Sequence, residues 1–327
     1  MCLLDRSQIN NILEILPSLK VLVIGDCMLD HYIWGDVSRI SPEAPVPVVA
    51  IDHDTYRLGG ACNVALNLKQ LGCQVSLMGP MGRDAAGETM KNLLTDAGVD
   101  VHAFNFRENL NSIIKTRVVV RKQQLCRLDR ESFYTEEQVE YIYEQLEALV
   151  ANVNAVVVSD YNKGSVTQTL LNRLVTLKAS HDFLLALDPK PTHELDYSGV
   201  DLLKPNREEA LKLSGLVFRP HEKFSVNKVA KCILEKYSVK YLAITLGEDG
   251  LALLDANGNG EISPTQAREV FDVSGAGDTS LVALTLALCA KMPLITAACF
   301  ANVAAGVVVG KLGTASVTPQ ELLDYVQ

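Results

Sequence analysis

Ala155-Val156-Val157-Val158-Ser159-Asp160 is an apolar run that stops at a carboxylate. A strand without polar alternation is buried on both faces, as central strands of parallel sheets are. Helical periodicity flanks it at 136–149 and 166–177, and the alternation continues outward. Toward the C-terminus, strands are expected at 183–187, 201–203 and 241–245, with helices at 206–213 and 226–236. Toward the N-terminus, Val21-Leu22-Val23-Ile24 and a run at 75–78 read as strands. Helices are expected at 3–19, from the Gly59-Gly60 pair to 71, and at 88–94. Strands separated by helices of this length imply an α/β fold, a central mostly parallel sheet with helices on both faces.

Such sheets bind ligands beyond the carboxyl ends of their strands. Asp160, Asp188, Asn206 and Gly247 all lie there, and Asp30 closely follows the strand at 21–24. Two segments stand outside the alternation. One spans about 32–52, where Pro42, Pro45 and Pro47 exclude helix; the other, at about 112–130, is extended. They read as a small β-sheet lid on a single domain spanning 1–327. Between them, Gly59 and Gly60 permit close backbone approach, and Asn63 can donate to and accept from sugar hydroxyls. A plain connector would also account for the glycine pair.

Near the other end stands Asp272-Val273-Ser274-Gly275-Ala276-Gly277-Asp278-Thr279, followed by an apolar run at 281–290 free of Pro and Gly. The glycines let backbone approach a ligand, and the run reads as a buried helix. A helix N-terminus presents unpaired N–H groups and a partial positive charge, an anion site. Asp278 would repel a phosphate, so its reading is a proton acceptor for a hydroxyl held beside one. Cradle plus base equips phosphoryl transfer to an alcohol. A tight turn with an ordinary first-turn carboxylate is the alternative. Asn206-Arg207-Glu208-Glu209 opens another helix, with Asn206 and Glu209 spaced as a capping box; the same oxygens could hold water on Mg²⁺.

The Asp-x-x-Gly-Ala-Gly-Asp-Thr string resembles the C-terminal signature of the ribokinase-like (PfkB) carbohydrate kinases. The resemblance implies that Asp278 is the catalytic base and that the amides of Gly275, Ala276 and Gly277 form the anion hole. Ser280-Leu281-Val282-Ala283 departs from the Phe and small Gly residues that many members carry next. It also implies that Asn206, Arg207, Glu208 and Glu209 serve Mg-ATP, with Asn206 and Glu209 reaching Mg²⁺ through water. Thr245 and Gly247 would lie near the ATP phosphates or ribose, and Asn302 and Gly306 beside the adenine, where helix packing also explains small residues. Asp30, Gly59, Gly60 and Asn63 would hold sugar hydroxyls, with Asp160 also at the substrate. The implied cofactors are ATP, Mg²⁺ and a monovalent cation.

The lid narrows the likeness. Asp36-Val37-Ser38-Arg39-Ile40-Ser41-Pro42-Glu43-Ala44-Pro45-Val46-Pro47-Val48 closely resembles the heptose 7-phosphate kinases of that family. So do Lys115-Thr116-Arg117, Arg127-Leu128-Asp129, Ser159-Asp160-Tyr161 and Asp188-Pro189-Lys190. The implied reaction moves the γ-phosphoryl of ATP to the anomeric hydroxyl of D-glycero-β-D-manno-heptose 7-phosphate, on the ADP-heptose route to lipopolysaccharide core. A kinase for another sugar, sugar phosphate or nucleoside is the alternative; a non-catalytic nucleotide-binding partner of a nucleotidyltransferase is the third reading. A sugar phosphate needs a cationic clamp. Arg127, Lys163 and Lys190 are the candidates, with Arg121 and Lys122, although each also reads as a solvated charge. A homodimer through the lid is expected, with Ile113, Val118 and Val120 available for pairing. The nucleotidyltransferase domain that many members carry is expected to be absent, its step falling to a separate protein unless the chain is a piece of a longer one.

Composition sets outer limits. At 327 residues and 48% hydrophobic, roughly 75% of the unfolded surface can be buried without staples. A net charge of −9 argues against a general nucleic-acid or membrane-surface binder. The eight cysteines form no C-x-x-C pair and read as reduced thiols of a cytoplasmic protein. No histidine pattern points to zinc. The uncharged run at 292–310 contains Pro293 and Asn302 and reads as a buried helix rather than a membrane span. Gly306 to Lys311 mimics a P-loop but has three residues between its glycines and lacks the Ser or Thr. Gly25-Asp26-Cys27 supplies no dinucleotide fingerprint.

Overall fold

The computed structural model describes residues 4–102, 110–121, 123–192, 194–217 and 222–326. Leu3 and Lys122 lie outside them. In chain order the strands are β1 (Lys20–Gly25), β2 (Cys27–Ile40), β3 (Pro47–Gly60), β4 (Gln74–Met78), β5 (Asp100–His102), β6 (Ile113–Val120) and β7 (Gln123–Arg130). There follow β8 (Ala155–Ser159), β9 (Leu184–Asp188), β10 (Leu202–Leu203), β11 (Tyr241–Thr245), β12 (Leu251–Asp255) and β13 (Gly260–Ser263). The helices are α1 (Arg6–Ile15), α2 (Ala61–Gln70), α3 (Ala85–Asp96), α4 (Glu136–Val139), α5 (Tyr141–Val150) and α6 (Gln168–Lys178). The chain closes with α7 (Arg207–Ser214), α8 (Val226–Tyr237), α9 (Ala276–Cys289), α10 (Leu294–Val309) and α11 (Pro319–Tyr325).

The large sheet runs β13-β12-β11-β10-β9-β8-β1-β4-β5 and is parallel from β11 to β5. Its strands feed two cores by simple alternation. Val21, Val23 and Val157 join the core under α2, α9 and α10; Leu22, Ile24, Val156 and Val158 join the core under α5, α6 and α8. This two-sided burial is why the strands read as continuous apolar runs. The antiparallel strands β12 and β13 extend the sheet past β11. They escape a reading built on βα alternation because each is joined by a turn.

Helix boundaries follow local chemistry. Asp5 and Gln8 form a capping box at the start of α1. Pro17 turns the chain into a short 3₁₀ segment, so α1 ends before the expected residue 19. The run at 292–310 holds α10, buried in the first core. No described helix is long and apolar enough to cross a membrane.

The second sheet, β3-β2-β6-β7, contains both lid segments. It begins at Cys27, before the expected residue 32. Gly25 passes so close to β8 that a Cβ there would lie 2.1 Å from the Ser159 carbonyl oxygen. The chain leaves the large sheet at that point and enters β2 one residue later. The base of the small sheet therefore sits directly over the carboxyl ends of β1 and β8. Gly59 and Gly60 end β3 rather than forming a loop, and Gly60, at φ 56°, caps α2.

Cys27, Cys62 and Cys73 are buried free thiols. Cys299 is disulfide-bonded, which corrects the expectation of reduced thiols throughout. Burial among apolar side chains does not keep a thiol from pairing when a second sulfur lies within bonding reach.

Candidate active site

Asp278 lies in the first turn of α9, almost wholly buried. Gly275 precedes the helix at φ 82°, in the left-handed region that glycine enters without strain. No side chain caps this helix; the Ala276 amide donates to the Val273 carbonyl at 3.2 Å, and the N-terminal end of the helix faces the space before it. Asn63 Nδ2 donates to Asp278 Oδ2 at 2.7 Å, and the Tyr161 hydroxyl donates to Oδ1 at 3.0 Å. Asn63 is steadied in turn, its Oδ1 and backbone carbonyl accepting from Asn67 Nδ2. Burial pushes the Asp278 carboxyl up to about 6; Asn63 and Tyr161 hold it down, while Asp188 pushes it up. A carboxylate in this range is a competent proton acceptor near neutral pH.

Asp278 faces a polar cavity of about 200 Å³. Asp160, Asp188, Lys190, Lys204, Asn206 and Glu209 also line it. Lys204 Nζ and Asp188 Oδ2 pair at 2.8 Å, Lys204 buried and Asp188 partly exposed at the cavity. Lys190 Nζ pairs with Glu209 Oε1 at 2.9 Å. Burial, and then the neighbouring Asp26 charge, raise Asp160 to about 7. Asn206 and Glu209 form the capping box in full, at 3.0 and 2.9 Å. Glu209 thus carries oxygen lone pairs into the cavity from a fixed rotamer, the arrangement a water-clad cation needs.

A second, mostly apolar cleft of about 490 Å³ adjoins it, lined by Thr245, Gly247, Ala276, Asn302 and Gly306 among others. Thr245 and Gly277 border both spaces. A Cβ at Gly277 would stand 3.7 Å from Lys204 Nζ and 4.0 Å from Asp188 Oδ2, so the start of α9 lies directly against that ion pair. An elongated ligand with an apolar end and an anionic end fits this pair of spaces, the shape of a nucleoside triphosphate. Gly306 owes its size to packing as well, since a Cβ there would lie 2.8 Å from the Tyr325 hydroxyl. Asn302 Nδ2 donates to the Ser263 carbonyl at 2.8 Å, tying α10 to β13.

Asp30 is buried at the base of the small sheet, paired with Arg117 and accepting from the Thr314 hydroxyl at 3.3 Å. Gly59 leaves room for it, since a Cβ there would fall 2.8 Å from Asp30 Oδ2. Other expected residues lie apart. Arg207 binds Asp249 at 2.6 Å and Leu246 carbonyl oxygen at 3.2 Å, bracing the loop after β11 from outside the cleft. Glu208 is exposed. Arg127 is half exposed and doubly bonded to Asp129. Lys163 is buried against Glu131 at 2.9 Å. Tyr161 and Lys204 carried no role in the sequence reading. Their strand-end positions after β8 and β10 were the available signal.

A model described as pfkB family carbohydrate kinase matches residues 18–321. The chain belongs to that family of carbohydrate kinases. The chain is 41% identical over 316 residues to the "Bifunctional protein HldE" of Desulfatibacillum aliphaticivorans, covering 96% of this chain and 64% of that protein. The protein of the same name in Geobacter sulfurreducens is 39% identical over 322 residues, with 98% and 65% covered. The chain therefore spans a little under two thirds of the length of these relatives. Among solved structures, Arabidopsis thaliana ribokinase complexed with ribose and ATP has a TM-score of 0.70 at 18% identity, with 94% of this chain and 98% of that one covered. Escherichia coli phosphofructokinase-2 with substrates and products gives 0.74 at 21% identity, over 94% and 98%. The ribokinase-like fold expected from the sequence is the one observed.

Tyr161 makes the site testable by pH. Its hydrogen bond favours the ionised carboxylate, so removing it raises the pKa. Tyr161→Phe is expected to lower kcat about tenfold and to move the acid limb of the kcat–pH profile, expected near pH 6 in the wild type, to higher pH. A limb that stays in place or moves to lower pH excludes this contact from the chemistry.

Proposed function

We propose that this protein phosphorylates D-glycero-β-D-manno-heptose 7-phosphate at the anomeric hydroxyl, using ATP and giving the 1,7-bisphosphate and ADP. The carrying observation is Asp278, a buried, doubly hydrogen-bonded carboxylate at an uncapped helix N-terminus, where a polar cavity meets an apolar cleft. In this reading Asp278 takes the anomeric proton as the sugar oxygen attacks the γ-phosphorus. The amides of Gly275 and Gly277 hold the transferring phosphoryl oxygens, joined by that of Ala276 if it exchanges the Val273 carbonyl for the ligand, and Lys204 stands beside them. Asp30, Asp160 and Asn63 orient sugar hydroxyls. Thr245, Gly247, Asn302 and Gly306 line the nucleotide's place. Asn206 and Glu209 would hold Mg²⁺ through water, and that ion would neutralise charge on the phosphate chain.

The heptose substrate is favoured by likeness to the HldE proteins across nearly the whole chain. A potassium complex of Escherichia coli phosphofructokinase-2 supports including a monovalent cation. The product would then pass to a nucleotidyltransferase. Ile113 and Val118, expected to be available for pairing, are buried within the chain; exposed Ile40, Ile51, Leu125 and Leu128 on the small sheet support a homodimer through it instead, and a monomeric mass by light scattering would exclude that.

The deciding measurement is ADP release with a panel of acceptors, followed by ³¹P NMR of the product. The expected result is selective turnover of heptose 7-phosphate with a new anomeric phosphate signal. Turnover of another sugar or nucleoside instead moves the assignment within the family. ATP binding without acceptor-dependent ADP release removes the catalytic reading altogether.

A further inference from the structure

We propose that Lys115 binds the distal phosphate of the sugar phosphate, so that the inner face of the small sheet selects a phosphorylated acceptor. The inference rests on the kinase reading above and deepens it.

Strand register carries the argument. Asp30 on β2 pairs with Lys115 on β6, and Lys115 pairs with Asp129 on β7. Tyr32, Arg117 and Arg127 form the next row but one along the same strands. Directly paired residues and positions two apart project from one face. Three cations and two carboxylates therefore share a face that reaches the active site at Asp30. The carboxylates are taken: Arg117 holds Asp30 at 2.5 Å, and Arg127 holds Asp129 at 2.8 and 2.9 Å. The Lys115 ammonium is left with no hydrogen bond or ion pair among the described residues.

Its position fits a ligand rather than solvent. Lys115 is half-buried, with Nζ 5.7 Å from the centre of the Tyr161 ring. The hydroxyl of that same ring donates to Asp278. One aromatic side chain thus separates the free ammonium from the proposed base, a spacing suited to a sugar that presents one end to each. Burial draws the Lys115 ammonium below its ordinary pKa, and Asp30 and Asp129 push it back up. A phosphate would supply the missing counter-charge. The other candidate cations are committed: Arg121 to Asp36, Lys163 to Glu131 and Lys190 to Glu209.

The test compares heptose 7-phosphate with unphosphorylated heptose as acceptors for the wild type, Lys115→Met and Lys115→Arg. Loss of one charge-assisted contact predicts a KM for the 7-phosphate raised roughly 10- to 100-fold in Lys115→Met. Its kcat and its ADP affinity by calorimetry should change little, its kcat/KM for unphosphorylated heptose should be unaltered, and Lys115→Arg should recover most of the loss. An unchanged KM for the 7-phosphate, or an equal loss on both acceptors, overturns the assignment while leaving the kinase reading intact. If the wild type takes another phosphorylated sugar, only the heptose proposal falls, and the same comparison on that sugar decides Lys115. A wild type that accepts only unphosphorylated sugars overturns both.

Discussion

Asp278→Asn is expected to lower kcat by at least ~10²-fold while leaving nucleotide affinity near that of the wild type, because a positioned base contributes 10²–10⁴-fold. Asn keeps the size and one acceptor oxygen of the carboxylate, so the Asn63 and Tyr161 partners remain within reach, but it cannot take a proton. A second expectation separates this from simple misfolding. The carboxyl is raised by burial to about 6, above its ordinary value of 3.8. A group whose folded pKa is raised binds its proton more tightly in the folded state. Its stabilising effect is complete below the unfolded pKa and is lost as pH rises through 6. At pH 7.5 the ionised group therefore costs on the order of 2–3 kcal/mol relative to its neutral form. The neutral Asn variant should melt at or above the wild-type temperature at pH 7.5, with the gap closing toward pH 4. Normal turnover by Asp278→Asn would remove the proposed chemistry. A fall in both Tm and activity would mark Asp278 as structural.

Asp26→Ala is expected to produce the largest loss of stability. Asp26 is completely buried where β1 hands the chain to β2. Its Oδ2 accepts from the Tyr161 and Lys163 amides at 2.8 and 3.0 Å; Oδ1 accepts from the Ser165 amide at 3.2 Å and the Ser165 hydroxyl at 2.5 Å. The loop it grips holds Asn162 at φ 56°, a left-handed conformation that costs a residue other than glycine, and turns at Gly164, φ 96°. A Cβ at Gly164 would lie 2.0 Å from the Tyr134 carbonyl oxygen. Truncation leaves three amides and a hydroxyl without an acceptor, each costing about 1–3 kcal/mol before relaxation. A net loss of about 3–5 kcal/mol follows, or a Tm lower by roughly 5–10 °C. Activity should fall too, because the same loop delivers Tyr161 to Asp278. Asp26→Asn keeps one acceptor oxygen and should lie between the two. An Asp26→Ala protein that melts with the wild type would show that the loop holds itself.

The parts read correctly from sequence are local ones. Apolar runs ending in Asp160 and Asp188 are strands because two-sided burial leaves no room for polar alternation. Asn206 and Glu209 cap a helix because the partners lie three residues apart. The small sheet starts earlier than its prolines suggest, since its first strand continues directly from β1 and no proline marks the change. The antiparallel pair β12 and β13 lacked the intervening helices that signalled the other strands.

Local pattern along the chain suffices for the layered fold, the order of the strand ends and a Gly-Ala-Gly-Asp helix start near the C-terminus. Which charges are spent and which are free follows from packing between distant segments. Tyr161 reaches Asp278, Lys204 neutralises Asp188, and Arg117 and Arg127 take the carboxylates around Lys115. Electrostatic interaction depends on distance and burial, and both are fixed here by residues far apart in the chain.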